Sequence, residues 1–191
     1  MMIQRENALP RQLFDRFKNE VFDRNFPWFY NETTYRSNED KFSYSFYHLA
    51  YFDGRSNSQI TNLAEACILH LADTAGYKVN AILRIRLTML QINPIGHIHP
   101  PHVDMDDRHM TGLLYFNNND GDTILYNEFY NPDDGQPADF YLQEVLKNNV
   151  TEFTRVSPKE NSSIFFNGHQ YHSSSSPTYT NRKVVLNFNF I

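Results

Sequence analysis

Hydrophobic and polar positions follow one period in the first part of this chain and another in the rest. From Leu9 to Asp23, apolar residues fall at Leu13, Phe17 and Val21, the spacing of one helix face. Ile60, Leu63, Ala64, Cys67 and Leu71 repeat that spacing and predict a second helix. Ser58 is placed to cap its start and Gly76 to end it. Between the two, the aromatic run Phe42–Phe52 reads as a strand. From Val79 to Ile92 the period changes. Val79, Ala81, Leu83, Ile85 and Leu87 alternate with Lys78, Asn80, Arg84 and Arg86, which predicts a long strand or two. Short strands follow at Thr111–Asn117, Thr123–Asn127, Ser162–Phe166 and Lys183–Ile191. Helices first, many short strands later and no repeating βα unit exclude a Rossmann-type sheet. They predict a mainly β fold, a double-stranded β-helix (jelly roll) with the N-terminal helices packed on one outer face. One domain is expected over 1–191, with a helical support region at 1–78 and a β core at 79–191.

Within that β core, two short signals carry chemistry. His102-Val103-Asp104 places an imidazole and a carboxylate two residues apart, so in extended backbone both point to one side and Val103 to the other. A second histidine from elsewhere in the fold would complete a two-histidine, one-carboxylate face, which leaves positions open on a ferrous ion. A Cys-rich tetrahedral site would close the metal off instead. The second signal is His172 with Arg182 ten residues on. In the final segment, Arg182, Val184, Leu186, Phe188 and Phe190 share one parity and form an apolar face. Lys183, Asn187 and Asn189 share the other with Val185. On that reading Arg182 points into the barrel and Lys183 points out. A buried guanidinium needs an anionic partner and pairs bidentately with a carboxylate. Arg182 is therefore the expected anchor for a dicarboxylate cosubstrate.

Other histidines compete for these roles. His97 and His99 precede His102, but only His102 has an acidic residue two positions later. His169 competes with His172, but ten residues after it stands Tyr179, which holds no fixed charge. His102, Asp104 and His172 are the expected metal ligands.

With these residues in place, the chain from about Leu83 onward resembles the iron(II)- and 2-oxoglutarate-dependent dioxygenases, particularly their prolyl 4-hydroxylase-like branch. Gly112–Tyr126 (GLLYFNNNDGDTILY) is similar to that branch's Tyr-Leu-Asn strand end and Gly-Gly-x-Thr turn. Arg155–His172 (RVSPKENSSIFFNGHQYH) is similar to its Pro-Lys-x-Gly turn, aromatic strand and distal histidine. The chain departs from the pattern at Phe116 for Leu, at Asp122 after Gly121, and at Asn161 where Gly is common. Ile92, flanked by Gln91 and Asn93, stands where the family often has a tyrosine. The resemblance implies Fe(II), 2-oxoglutarate and dioxygen as cofactor and cosubstrates. It also implies that Tyr115 donates its hydroxyl to the far carboxylate beside Arg182. The reaction implied is hydroxylation of a prolyl residue, an amino acid or another small molecule, with release of succinate and carbon dioxide. Two alternatives stay open. One is a cupin-like metal-binding isomerase or binding module on the same barrel. The other is a zinc hydrolase built on His97, His99 and His102, without an HExxH signature.

Composition narrows the partners. Net charge is −5, which gives no general basic footprint for nucleic acid. No run reaches the length of an apolar membrane span, and Met1–Pro10 lacks a signal-peptide core, so a cytoplasmic enzyme is expected. Its partner is expected to be a small-molecule or peptidyl substrate. Cys67, the single cysteine, lies on the apolar stripe of the second helix and reads as a core residue. The Asn-x-Ser/Thr matches at Asn31, Asn149 and Asn161 read as incidental in an Asn-rich chain. Glu128–Asn149 is long for its place between two strands. It mixes turn residues with a short helix expected at Asp139–Lys147, and reads either as a lid or as a surface cover.

Overall fold

The computed structural model of the chain describes residues 2–32, 42 and 44–191. Ser43 of the expected aromatic strand and Thr33 of the Asn31 match lie outside the described residues. The elements run β1 (Ile3–Arg5), α1 (Arg11–Phe22), β2 (Phe29–Asn31), β3 (Ser45–Phe52), β4 (Arg55–Ser56), α2 (Thr61–Thr74), β5 (Ile82–Gln91), β6 (Met110–Tyr115) and β7 (Thr123–Phe129). After them come α3 (Ala138–Phe140), continued by a π turn over Tyr141–Val145, and then β8 (Glu152–Val156), β9 (Ser162–Asn167), β10 (Gln170–Ser174) and β11 (Arg182–Phe190).

The strands form two antiparallel sheets. The larger has the order β1-β9-β6-β11-β5-β3-β2, with β4 paired to β3. The smaller has the order β10-β7-β8. Isolated bridges Ile98↔Ser175 and His102↔His172 lay the segment before β6 along the free side of β10. The result is the expected jelly roll, in which the chain passes from β6 in the larger sheet to β7 and β8 in the smaller, then to β9 in the larger, β10 in the smaller and β11 in the larger. That places both ends of the metal motif at one mouth between them.

The helices cover one face of the larger sheet. Phe14, Phe17 and Val21 of α1 and Ala64, Cys67, Ile68 and Leu71 of α2 pack against Ile85, Leu87, Leu114, Phe165, Val184, Leu186, Phe188 and Phe190. Cys67 is fully buried here, and burial pushes its thiol up to about 12, which makes it a neutral core residue. Local signals work largely as read. Gly76 takes φ +82° beyond α2, with Gly76 N donating to Asp73 O and Tyr77 N to Ala72 O, a Schellman closure. Ser58 does not cap α2: its Oγ accepts from Ile60 N in the turn before the helix. Asn161, standing where glycine is common in the resembling turn, takes φ +57°. An asparagine tolerates that left-handed conformation, and here its amide is used as well, accepting from Leu9 N at 3.0 Å and donating to Leu9 O at 2.9 Å.

A second apolar cluster fills part of the space between the sheets, with Leu113, Tyr115, Ile164, Phe166 and Val185 from the larger and Leu125 and Val156 from the smaller. Each strand of the larger sheet therefore serves two interiors. Alternate residues face the helices or the lumen between the sheets.

Candidate metal centre

His102, Asp104 and His172 meet at the mouth of the lumen. Their ligand-type atoms all lie within 4.8 Å of one another, the group of this kind found among the described residues. The backbone brings them there. His102 N donates to His172 O and His172 N to His102 O, both at 3.0 Å, so the two imidazoles sit side by side with centroids 4.5 Å apart. In each ring Nδ1 contacts the carbonyl of the residue two before it: Pro100 O at 3.2 Å for His102 and Gln170 O at 3.1 Å for His172. A carbonyl only accepts, so Nδ1 carries the proton and Nε2 keeps its lone pair. His172 Nε2 is buried with no hydrogen-bond partner and lies 3.9 Å from Asp104 Oδ2. Burial, helped by the neighbouring His102 and opposed by Asp104, takes the His172 imidazole down to about 4, so it is neutral and able to ligate at neutral pH.

Asp104 is held from several sides. Arg84 Nη2 lies 2.5 Å from Oδ1, Asn189 Nδ2 donates to Oδ2 at 2.9 Å, Asn187 Nδ2 donates to Oδ2 at 3.1 Å, and Thr111 Oγ1 donates at 3.3 Å. Burial would raise its pKa. Arg84 first, then the two histidines and Asn189, overcome that and hold the carboxyl well below its usual range. Two imidazoles, each with Nδ1 on a carbonyl, and a fixed carboxylate, with His172 Nε2 buried and without a partner, fit a divalent ion of the ferrous class.

The expected histidine decoys go elsewhere. His169 Nε2 contacts the carbonyls of Asp106 and Asp107. His97 and His99 stack edge to face at 4.8 Å, and His99 Nε2 meets Ser176 Oγ at 3.2 Å. Neither belongs to the ligand group.

The strand-parity expectation for Arg182 is corrected. Arg182 is exposed, with its guanidinium 4.6 Å over the ring of Phe22 on α1. Lys183 is the buried residue, 1% exposed, and its Nζ donates to Ser174 Oγ at 2.6 Å, Asp122 O at 2.9 Å and Thr123 Oγ1 at 3.3 Å. The reason is physical. Val184, Leu186, Phe188 and Phe190 form an apolar face because two helices lie on it, and the lumen takes the opposite parity: Lys183, Val185, Asn187 and Asn189. Tyr115 does face the lumen side, but it is fully buried behind the cavity wall and its hydroxyl donates to Thr123 Oγ1 at 2.9 Å. It therefore reaches the cavity only through Thr123.

The cavity beside the ligand group measures about 110 Å³. Its wall includes His99, Thr123, Ser174 and Lys183 together with the three metal-type residues and, toward the outside, Arg84 and Arg86. A wider groove of about 940 Å³ lies elsewhere, between α1 and β3, and contains none of them. Sequence reading passed over Arg84, Arg86, Lys183, Asn187 and Asn189. The signal that marks them is polar residues at every second position on strands flanked by apolar ones, in a sheet whose other face is already covered.

The segment after β7 folds against the outside of the smaller sheet. Ala138 and Leu142 pack with Ile124, Tyr126, Tyr130 and Tyr171, next to Val103 of the metal motif. Ala138 N donates to Asp106 Oδ1, and Arg108 pairs with Asp133. The segment lines neither the metal cavity nor the cleft outside it, so it is a cover that braces the loop carrying His102 and Asp104.

By sequence, no family profile and no curated protein matches the chain. By structure, many chains do. An oxidoreductase of the 2OG-Fe(II) oxygenase family from Burkholderia pseudomallei aligns over 99% of this chain and 84% of its own, with TM-score 0.65 and 10% identity. A prolyl hydroxylase from Trichoplax adhaerens, in complex with a hypoxia inducible factor peptide fragment, aligns over 100% and 83%, with TM-score 0.64 and 13% identity. A prolyl-4-hydroxylase from Pseudomonas putida aligns over 99% and 91%, with TM-score 0.57 and 15% identity. No helix among the described residues is long and apolar enough to cross a membrane. The two-sheet fold, covered on one side by helices, is thus shared along nearly the whole chain: in fold, this protein is a jelly roll similar to those of solved 2OG-Fe(II) oxygenases.

Proposed function

We propose that the chain is a 2-oxoglutarate- and Fe(II)-dependent oxygenase. The observation that carries the reading is the joint placement of His102, Asp104 and His172 beside a small cavity that has a buried ammonium in its wall. His102 and His172 would ligate through Nε2 and Asp104 through a carboxylate oxygen, with Arg84, Asn187 and Asn189 fixing the carboxylate. Lys183 takes the part first expected of Arg182. As a buried point charge beside the hydroxyls of Thr123 and Ser174, it suits the far carboxylate of a dicarboxylic acid. Tyr115 orients Thr123 instead of touching the cosubstrate. When bound, the ferrous ion and 2-oxoglutarate supply the oxidising chemistry, with dioxygen consumed and succinate and carbon dioxide released. The protein holds the reactants in register and keeps water from the inner cavity.

Hydroxylation of a prolyl residue, an amino acid or another small molecule is the proposed outcome. Two structural neighbours named as prolyl hydroxylases support it. Another neighbour, an epimerase described in complex with Fe3+, alpha ketoglutarate and nogalamycin RO, shows that the fold also serves a different outcome. A cupin-like binding module would have no task for the buried Lys183. The test is anaerobic addition of Fe(II) and then 2-oxoglutarate. A visible metal-to-ligand charge-transfer band in the wild type, absent from His172→Ala, is the expected result. Metal binding without any such band would sink the cosubstrate assignment.

A further inference from the structure

Two arginines stand where the metal cavity opens outward. Arg84 and Arg86 line the inner cavity with the ligand group, and both also line an outer cleft of about 270 Å³ walled by Asn31, Tyr47, Leu49 and Phe52. Their parity on β5 puts them on the lumen face, opposite Ile85 and Leu87 in the helix-side core. Arg84 has partners: it pairs with Asp104 and its Nη2 donates to Asn187 Oδ1 at 3.3 Å. The Nε of each arginine is buried with no hydrogen-bond partner, but no ion pair or hydrogen bond to another described residue engages the Arg86 guanidinium, which lies 5.0 Å from the centroid of the Tyr47 ring, one wall of the outer cleft.

Charge balance makes this informative. Across the walls of both cavities Asp104 is the one carboxylate among the described residues, set against Arg84, Arg86 and Lys183. Asp104 is already shared between Arg84 and the metal-type site. In the oxygenase reading, one carboxylate of 2-oxoglutarate meets Lys183 and the other goes to the metal. Among the described residues the Arg86 charge is then left, in a half-buried place, with no carboxylate but Asp104, which Arg84 already holds. An arginine does not shed its proton to escape that cost, and a confined cation without an anion is unfavourable.

We propose that Arg86 binds the carboxylate of the substrate, so that the natural substrate is a carboxylic acid whose reacting carbon lies toward the metal and whose acid group lies against Arg86 and the Tyr47 ring. The planar guanidinium matches a carboxylate through two parallel hydrogen bonds. The proposal rests on the oxygenase reading and adds the substrate class to it. A free acid and the C-terminal carboxylate of a peptide offer the same chemistry, and the experiment below separates them.

Binding is measured by calorimetry on protein loaded with Mn(II), which substitutes for iron without turnover, and saturated with 2-oxoglutarate. Those two affinities are recorded first, so a failure of the oxygenase reading is seen before any acid is added. The probes are the free L-amino acids and their carboxamides, with tripeptides bearing a free or an amidated C-terminus in parallel. At least one free acid is expected to bind, and its amide to bind about 30-fold more weakly or worse, the usual loss when a confined charge pair is broken. Arg86→Gln should erase the difference between acid and amide while the 2-oxoglutarate affinity holds, and Arg86→Lys should restore part of it. A preference confined to the peptide arm would assign the acid to a chain terminus and still carry the proposal. Equal binding of acids and amides would overturn it. So would a loaded protein that takes up no acid, or an Arg86→Gln protein that loses 2-oxoglutarate in place of the acid.

Discussion

The two faces of the larger sheet are built from the same strands and do different work. On the helix side, Ile85, Leu87, Leu114, Leu186 and Phe188 are fully buried in the apolar core with α1 and α2. On the lumen side stand Arg84, Thr111, Asn187 and Asn189, joined to Asp104 by hydrogen bonds and an ion pair, with Lys183 bonded to Ser174 and Thr123 in the cavity wall and Arg86 at its mouth. Burial alone does not separate the faces, since Lys183 and Asn189 are as hidden as Leu186. What separates them is what burial requires. An apolar side chain needs only volume filled, whereas a buried ammonium or amide needs named partners. The helix side thus supplies stability. The lumen side gives up some stability to hold charges in place, which is where function is expected in a consistent fold.

That contrast can be broken from either side. The largest effect is expected at the ligand group: His172→Ala should abolish Fe(II) binding measured by titration, while His169→Ala retains it. Retention in His172→Ala would remove the metal assignment. Next comes the helix side. Phe188→Ala should cost roughly 3–5 kcal/mol of stability by denaturant unfolding, with the metal affinity of the folded fraction unchanged. A clear loss of metal affinity in folded Phe188→Ala would mean that the two faces are not independent.

Lys183→Ala should weaken 2-oxoglutarate binding by about 30-fold to several thousand-fold, with Fe(II) affinity nearly intact. Arg182→Ala should do little to either, because its guanidinium lies on the outer surface over Phe22. The reverse outcome would restore the expected parity and remove Lys183 from the site.

A smaller effect concerns pH. Burial lowers the Lys183 ammonium to about 7, against a smaller opposing effect from Asp122, and its other titratable neighbour, His99, is held neutral by burial with a pKa of about 3. The ammonium is charged below its pKa, and the dianion needs that charge. Affinity for 2-oxoglutarate should therefore be full below about pH 7. It should fall by up to about tenfold per pH unit above that, until the bound-state pKa is passed. Lys183→Arg, which stays charged, should flatten the profile even if its affinity is lower. A wild-type affinity that is constant from pH 6 to 9 (about the window in which such a group titrates) would show that the ammonium is not what holds the acid.

The sequence by itself determined the class of fold, through the change from helical to alternating period. It also determined the pairing of His102 with Asp104, because two residues apart in extended backbone is a local geometric fact. The helix ends were equally local: Gly76 closes α2 with a positive φ that its lack of a side chain permits. His172 was chosen over His169 because Arg182 follows it, and it does stand beside His102, although Arg182 itself turns away. Alternation shows that a strand has two faces, not which of two interiors each will meet. In β11 the apolar face was read as the barrel interior, yet it is apolar because α1 and α2 lie on it. Tertiary structure alone decided that Lys183, Asn187 and Asn189 look into the lumen, that Arg84 joins Asp104 from a strand about twenty residues earlier in the chain, and that Arg86 is left facing the mouth. Each of these depends on which sheet packs on which layer, a contact between distant segments that no local period records.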